Sequence, residues 1–372
     1  MKLTEINIVQ YKNIENLAFR PHPYFNAFTG LNGMGKTNIL DAVFYLCLAK
    51  SNFGRTERNN VMHDKDFFRL SGVFENEDSV DKIVIKVKPP RFKQIERNAK
   101  AIEKISDHIG YFPVVMIAPK DKTALLESSK ERRKLLDRVL SQTNKKYLDA
   151  IVECNKWVKQ RNALLKNSDT HSLNMNLLNT YDRKIAPLAR FINITRREFI
   201  SELRPVFLDF YSRISDEVPD IQYLSQLNDN DYMDLVKENI QKDIILKRST
   251  TGIHKDDLGF TLNGYELKTN ASQGQLKSYA LAIKLAEFSF LKTKKGFVPL
   301  VILDDVFDKL DKIRVEKLVK LLFKKEFGQV FISDTDKSRV VKIFEDADVD
   351  YKIFEIENGN IINTESNEEK IQ

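Results

Sequence analysis

The octapeptide GLNGMGKT at residues 30–37 sets the strongest limit on the fold of this chain of 372 residues. It matches the P-loop pattern G-x-x-x-x-G-K-[ST], and it lies between an apolar run ending at 25–28 and a helix-like stretch at 37–48. A P-loop needs this order of strand, loop and helix, because its backbone N–H groups must meet phosphate at a helix N-terminus. The sequence therefore predicts an α/β fold that binds a nucleoside triphosphate.

The residue types in this loop suit phosphate chemistry. Glycines let backbone N–H groups close around phosphate oxygens, Lys36 supplies a positive charge to the β- and γ-phosphates, and the Thr37 hydroxyl can ligate Mg²⁺. A chance match in a glycine-rich turn is the alternative, and the acidic motif described next argues against it. The predicted nucleotide-binding residues of the loop are Gly30, Asn32, Gly33, Gly35, Lys36, Thr37 and Asn38.

An acidic strand supplies the second half of the predicted site. Residues 298–305 read VPLVILDD, a continuous apolar run typical of a buried parallel strand, and it ends in two carboxylates. This is the pattern of a Walker B strand. We expect Asp304 to hold Mg²⁺. We expect Asp305 to be catalytic together with Lys36, because it would face the γ-phosphate and orient the attacking water.

A polar turn lies between the two Walker motifs. Residues 271–277 read ASQGQLK and open an apolar helix predicted at 275–291, so its N-terminus is a further anion site. An ordinary polar helix cap is the alternative interpretation. After the Walker B strand, residues 308–311 read DKLD, which has the form of a D-loop.

The order of these four motifs resembles the head of an ABC-type ATPase. In that family the S-x-G-Q signature of one subunit completes the nucleotide site of its partner, so the resemblance implies ATP held between two subunits of a head-to-tail homodimer. Ser272, Gly274 and Gln275 would then bind nucleotide in trans, and Asp311 of the D-loop would line the same site.

Composition excludes several other classes of protein. The two cysteines are far apart in sequence and, like the five histidines, lack the spacing of metal ligands, so we predict buried thiols and no zinc. No apolar run reaches the roughly 18 residues of a membrane span, and the N-terminus alternates like a strand. We therefore expect a cytoplasmic protein without a membrane partner.

Positive charge is concentrated in one segment. The net charge is +7, and residues 120–166 contain 13 Lys and Arg against 6 Asp and Glu, whereas the rest of the chain is balanced. Such a segment is typical of a face that binds a polyanion. A solvated helix surface that binds nothing is the alternative.

Hydrophobic periodicity divides the chain. It predicts strands at 3–9, 14–19, 67–74, 82–88, 92–97 and 114–117, and the period becomes helical from residue 123. Two antiparallel helical arms are expected, separated by a polar break near 167–172, with kinks at Pro187 and Pro205. The predicted domains are an ATPase head, formed by 1–122 plus 250–372, and an inserted helical lobe at 123–249 for DNA binding or dimerisation.

Beyond the insertion, the strand pattern resumes. We expect a strand at 258–262, a hairpin turn at Asn263 and Gly264 into 265–268, and a buried strand at 329–332. Helices at 312–324 and 337–345, a strand pair within 351–362 and a disordered polar tail from 364 complete the prediction.

Read in order, six segments resemble one family, RecF, a bacterial recombination mediator within the SMC-like ABC ATPases. The segments at 49–56 and 118–137 discriminate better than the Walker motifs, because ABC heads at large do not share them. The six are GLNGMGKTNILDA (30–42), AKSNFGRT (49–56), APKDKTALLESSKERRKLLD (118–137), GIHKDDLGF (252–260), ASQGQLKSYALAIKLAE (271–287) and LDDVFDKLD (303–311).

The resemblance implies a function. The protein would bind duplex DNA as an ATP-dependent homodimer, act with a RecR-like mediator protein, and help to load RecA at single-strand gaps. Arg132, Arg133 and Lys134 are the predicted DNA-binding residues, and a structural clamp on the head is the competing role for this Arg-Arg pair.

The chain departs from the family patterns in three places. Ser51 and Arg55 are separated by three residues instead of one, so a contact of Arg55 with nucleotide stays open. No histidine follows the strand at 329–332, and no glutamine occurs at 117–119, where ABC transporters place a switch histidine and a Q-loop. These absences favour slow hydrolysis, suited to a switch.

Three alternatives stay open. A chromosome-structuring SMC protein would need much longer coiled-coil arms, and a nuclease-linked SMC-like ATPase would need a second catalytic domain. A DNA-binding scaffold that binds ATP without hydrolysing it is the third alternative. A single-turnover hydrolysis assay would distinguish it.

Overall fold

The computed structural model describes residues 1–54, 56–77, 79–167, 173–306, 321 and 327–367. The chain divides into two compact units. The head unit comprises Met1–Asp121 and Ile283–Gln372, and the helical unit comprises Lys122–Ala282.

The head unit contains two six-stranded sheets and the helix that follows the P-loop. Its elements in chain order are β1 (Lys2–Tyr11), β2 (Ile14–Phe19), β3 (Phe25–Thr29), α1 (Lys36–Leu48), β4 (Phe68–Glu75), β5 (Val80–Lys88), β6 (Phe92–Arg97), β7 (Lys100–Ala101), β8 (Val114–Ile117), β12 (Leu300–Asp304), β13 (Val330–Asp334), α9 (Lys337–Asp346), β14 (Tyr351–Glu357) and β15 (Asn360–Ser366).

Helix α1 lies at the centre of the head core. The first sheet is antiparallel, in the order β2-β1-β4-β5-β6-β7, and the second has the order β15-β14-β3-β13-β12-β8. Both sheets contact α1, which is apolar on nearly all sides and almost wholly buried. A helix without a polar face needs such enclosure, so the sequence of α1 fits its place between two sheets.

The second sheet brings the two Walker motifs to one edge. Strands β14, β3, β13, β12 and β8 are parallel, and only β15 pairs antiparallel at the margin. In parallel strands the carboxyl ends share one edge, where ligands of open α/β sheets bind. The P-loop follows β3 and Asp305 follows β12, so both motifs leave the sheet at this edge.

The helical unit consists of helices with a small antiparallel sheet, β11-β10-β9. Apolar side chains at helical spacing on α4 and α5 are buried where these two helices pack. Its elements are α3 (Ser129–Thr143), α4 (Lys145–Asn167), α5 (Met175–Ile214), β9 (Pro219–Leu224), α6 (Tyr232–Leu246), a 3-10 turn (Ile253–Lys255), β10 (Asp257–Leu262), β11 (Tyr265–Glu266) and α7 (Leu267–Asn270). Two helices, α2 (Pro119–Leu126) and α8 (Gln273–Lys295), span the unit boundaries.

The structure differs from the sequence-based expectations in several places. Strand β9 and helix α6 are absent from the sequence-based expectations. Strand β9 pairs with β10, and residues 250–282 belong to the helical unit instead of the head. Helix α5 includes both Pro187 and Pro205 without a break, and the kinks expected at these positions stay a prediction. Strand β15 extends to Ser366, so the predicted disordered tail is wrong for 364–366, which pair with β14. The helix predicted at 312–324 lies almost entirely outside the described residues.

Cysteine burial agrees with the sequence-based expectation. Cys47 on α1 and Cys154 on α4 are both buried free thiols. In the part of the chain that the structure describes, no helix combines the length and the apolar character needed to cross a membrane.

Candidate functional site

Two glycines shape the P-loop. Gly30 has φ 138°, and a Cβ at this position would collide with the carbonyl of Ile356 on β14. Gly35 caps α1 with φ 110°, and a Cβ there would lie 2.9 Å from the amide of Asn13. Both positions require glycine. A residue with a side chain would be strained at a positive φ, and neither position has room for a Cβ.

Lys36, the first residue of α1, reaches back across the loop. Its ammonium donates to the carbonyls of Gly30 at 2.7 Å and Leu31 at 2.9 Å. Burial lowers the pKa of Lys36, while the carboxylates of Asp305, Asp334 and Asp304 oppose that shift. The ammonium thus lies inside the loop that phosphates would enter. Asn32 and Gly33 are exposed at the crown of the same loop.

One hydrogen bond joins the two Walker motifs. The Thr37 hydroxyl donates to Asp304 Oδ1 at 2.9 Å, across 267 residues of sequence, and the Ser333 hydroxyl donates to the same oxygen at 2.7 Å. Burial raises the pKa of Asp304, and these two hydrogen bonds oppose the rise. A hydroxyl and a carboxylate are hard oxygen ligands of the kind that Mg²⁺ prefers.

Asp305 leaves the sheet in an unusual conformation. Its φ is 45°, in the left-handed region, and its backbone N–H donates to the Ser333 hydroxyl at 3.0 Å. Ser333 therefore contacts both acidic residues. At the end of β13 the neighbouring Asp334 accepts a hydrogen bond from Arg339 at 3.1 Å, so this carboxylate is already engaged where ABC transporters carry a histidine.

Asp41 anchors the loop beside the P-loop helix, and sequence reasoning missed it. This buried carboxylate accepts hydrogen bonds from the Tyr11 hydroxyl at 2.7 Å, the Lys12 ammonium at 2.6 Å, the Ser51 hydroxyl at 2.6 Å and the Asn52 N–H at 2.7 Å. Asp41 follows Thr37 by one helical turn, which is the signal that could have found it. The family-like segment at 49–56 is thereby fixed to α1.

Asn13 was also missed. Its side-chain oxygen accepts from the Asn38 amide at 2.7 Å, which ties the β1–β2 turn to the start of α1. Next to it lies an open cavity of about 470 Å³, lined by Lys12, Phe53, Gly54, Thr56 and Asn59.

The signature segment forms a capping box at the start of α8. The Ser272 hydroxyl accepts from the Gln275 N–H at 3.2 Å, and the Gln275 side chain accepts from the Ser272 N–H at 2.7 Å. Ser272 is exposed and Gly274 partly exposed. The helix-cap interpretation is thus realised in the geometry, and an exposed helix N-terminus stays compatible with anion binding in trans.

Two of the three predicted DNA-binding residues make hydrogen bonds inside the helical unit. Arg132 forms a two-bond pair with Asp257 at 2.6 and 2.7 Å, and Arg133 donates to the Asp256 carbonyl at 2.5 Å. Both guanidinium groups are partly buried and engaged within the helical unit, so these contacts are internal to that unit and are not a clamp on the head. Lys134 is exposed but pairs with Glu131 at 2.6 Å.

A further arginine of the basic segment forms buried ion pairs. Arg161 is wholly buried and pairs with Asp182 and Asp243. Two predicted site residues, Asp311 and Arg55, lie outside the described residues.

Comparison with known proteins shows which family this chain resembles. The family model of the RecF/RecN/SMC N terminal domain matches residues 2–362. The DNA replication and repair protein RecF of Phocaeicola vulgatus is 40% identical over 365 residues, which are 97% of this chain and 98% of that protein. The RecF of Flavobacterium johnsoniae is 39% identical over 96% of this chain and 100% of its own.

The chain belongs to the RecF family. It is thus a member of a family of DNA replication and repair proteins built on an ABC-type ATP-binding head, and the resemblance seen in the sequence is confirmed.

Solved structures agree with this assignment. A structure of the recombination mediator protein RecF-ATP in the RecFOR pathway has a TM-score of 0.88 and 28% identity, and the match covers 98% of this chain and 97% of that one. The Smc head domain from Pyrococcus furiosus matches at TM-score 0.56 and 14% identity, over 98% of this chain and 96% of that one, which shows a shared fold alone. The predicted fold class, an SMC-like ABC head with an inserted helical lobe, is confirmed.

Proposed function

We propose that the protein is an ATP-dependent DNA-binding switch of recombinational repair and replication restart. Family membership supports this role. The observation that carries the nucleotide part is the hydrogen bond from Thr37 to Asp304, since it unites Walker A and Walker B beside the Lys36 ammonium.

The head residues take distinct roles in this proposal. Lys36 binds the β- and γ-phosphates, and the loop glycines present backbone N–H groups to them. Thr37 and Asp304 would hold Mg²⁺, which neutralises phosphate charge when bound. Asp305 orients the attacking water, and the cavity beside Phe53 and Lys12 receives the nucleoside.

The active unit in this proposal is an ATP-dependent homodimer. ATP bound by one subunit is completed by the partner's Ser272, the partner's Gly274 and the partner's Gln275. The engaged Asp334 and the missing glutamine at 117–119 support slow hydrolysis, as suits a switch. A scaffold that binds ATP without hydrolysis is the second candidate, and single-turnover hydrolysis distinguishes it.

Dimerisation would raise DNA affinity. Two weak binding surfaces joined in one dimer act bivalently, which can increase avidity by ~10²-fold or more without a new contact. By family membership the relevant DNA is a duplex beside a single-strand gap, where a RecR-like mediator protein joins the complex and RecA is loaded.

Sedimentation velocity with and without ATP, each with and without a duplex, tests the proposal. The expected result is a monomer without ATP, a dimer with ATP, and DNA that sediments mainly with the dimer. A chain that stays monomeric with ATP and leaves the duplex unbound would overturn the proposal.

A further inference from the structure

A dense group of cations lies at the end of α6. Residues 241–255 carry four exposed basic side chains, Lys242, Lys247, Arg248 and Lys255, which we call the α6 basic face. The acid of this stretch, Asp243, is buried and accepts from Arg161 at 2.6 Å. Among the described residues, no ion pair neutralises any of the four cations.

The backbone that carries these cations is well braced. Lys247 ends α6 with φ 51°, and the Arg248 N–H donates to the Asp243 carbonyl at 3.1 Å. Asp243 also accepts from the Thr250 N–H at 2.8 Å, which folds the following loop back against the helix end. The α6 basic face is therefore presented by a fixed frame.

The charges lie close enough to repel one another. Burial lowers the pKa of Lys255, and the cations Arg248, Arg133 and Lys242 lower it further. Cations near a helix C-terminus offset the helix dipole, which accounts for part of this arrangement on α6. It does not account for Lys255, which lies on the separate 3-10 turn Ile253–Lys255. Clustered like charges create a positive local potential that attracts anionic ligands.

The basic segment at 120–166, which the sequence predicts to bind a polyanion, is a weaker candidate for that surface. Its arginines Arg132, Arg133 and Arg161 are engaged in the helical unit. Its exposed lysines share their surface with the exposed acids Glu127, Asp149 and Glu153, as in the pair of Lys145 with Asp149 at 3.9 Å. The α6 basic face has no exposed acid within 241–255 and is thus the stronger polyanion surface.

We propose that Lys242, Arg248 and Lys255 bind the sugar–phosphate backbone of duplex DNA, so that the α6 basic face is the DNA-contacting surface of the helical unit. This inference rests on the proposed function, because it names the surface through which that function acts. Lysine and arginine meet phosphates that carry no base identity, so binding is insensitive to sequence.

The test compares two triple variants of the full chain. Lys242→Gln/Arg248→Gln/Lys255→Gln removes the α6 basic face, and Lys156→Gln/Lys159→Gln/Lys166→Gln removes the same charge from exposed positions of α4. Affinity for a short mixed-sequence duplex is measured by anisotropy over a range of salt, with thermal melting as a check of folding. The α6 variant should flatten the slope of log affinity against log salt by about 2 to 3 units, since each lost phosphate contact removes roughly 0.9.

Other outcomes separate this inference from the proposed function. The single variant Lys255→Gln should flatten the slope by about 1 unit, and it serves if the triple variant does not fold. An unchanged slope in the α6 variants, or an equal loss in the α4 variant, overturns the α6 assignment while wild-type binding stands. A wild-type chain that binds no duplex overturns the assignment and the DNA-binding function together.

Discussion

At the scale of single residues, a few side-chain hydrogen bonds fix the geometry of the candidate nucleotide site. Asp304 accepts from Thr37 and Ser333, while the Asp305 N–H donates to Ser333, so one serine fixes both acidic residues of the Walker B motif. Lys36 lies among carboxylates that favour its charged form. These contacts support the proposed roles of Lys36 in phosphate binding and of Asp305 in water positioning.

Two substitutions separate these roles. Lys36→Ala should weaken ATP binding roughly 10- to 100-fold, because a charge-assisted hydrogen bond contributes about 1.5–3 kcal/mol. Asp305→Asn should preserve binding and slow hydrolysis about 10²-fold or more, since Asp304 remains to hold Mg²⁺. Nucleotide titration and single-turnover hydrolysis measure the two effects, with Lys82→Ala, an exposed change on β5, as control. Wild-type hydrolysis by the asparagine variant would remove Asp305 from its role.

At the scale of helices and strands, buried ion pairs fasten the helical unit. Arg161 on α4 pairs with Asp182 on α5 at 2.7 Å and with Asp243 on α6 at 2.6 Å. Arg196 on α5 pairs with Asp256 at 2.7 Å and with Asp137 on α3 at 2.8 Å. The family-like segment at 252–260 thus has a structural role, since Asp256 lies within it.

Removal of one partner from such a network should be costly. Arg161→Met leaves two buried carboxylates uncompensated, so the free energy of unfolding should fall by about 3–5 kcal/mol. The control Lys159→Met changes an exposed position on the same helix and should stay within about 0.5 kcal/mol. Urea denaturation measures both. Equal stability of the two variants would show that the network does not hold the helices together.

The buried His108 and the partly buried His254 predict a pH dependence of stability. Burial lowers the pKa of His254 in the helical unit and of His108 in the head unit from 6.5 to about 4. Between these values the unfolded chain binds protons that the folded chain does not, so stability falls as the pH decreases. The loss per histidine is at most about 1.4 kcal/mol per pH unit.

Urea midpoints measured from about pH 7 to about pH 5 test this dependence. His254→Gln should flatten the decline, whereas His63→Gln should not, because His63 is exposed. A decline of the same steepness in the wild type and in His254→Gln would exclude His254 as a source.

Local patterns predicted much of the fold and the first half of the site. The P-loop, the Walker B strand and most strands of the head follow from motif and periodicity, which are local properties of sequence. The ion-pair partners of the arginines were not predictable. Arg132 pairs with Asp257 at a separation of 125 residues, and only tertiary structure brings the two together. Strand β9 and helix α6 were missed for a related reason, since β9 is stabilised by pairing with β10.

At the scale of the whole molecule, the proposed nucleotide site is shared between two subunits. The Walker residues lie in the head unit, and the signature begins in the helical unit. Ser272→Arg should leave ATP binding by the monomer nearly normal and prevent dimerisation, because a bulky cation would occupy the place of the partner's γ-phosphate. Lys36→Ala damages the other half of the site.

Mixing these two variants tests whether the signature of one subunit completes the nucleotide site of the other. In a head-to-tail pair of one Lys36→Ala and one Ser272→Arg subunit, one site contains both defects and the other is intact. Single-turnover ATP hydrolysis of an equal mixture should therefore exceed the sum of the two variants and reach at most about half of the wild-type rate, since each mixed dimer has one intact site of two. A mixture that hydrolyses ATP no faster than the sum of the two variants measured separately would contradict a signature that acts in trans.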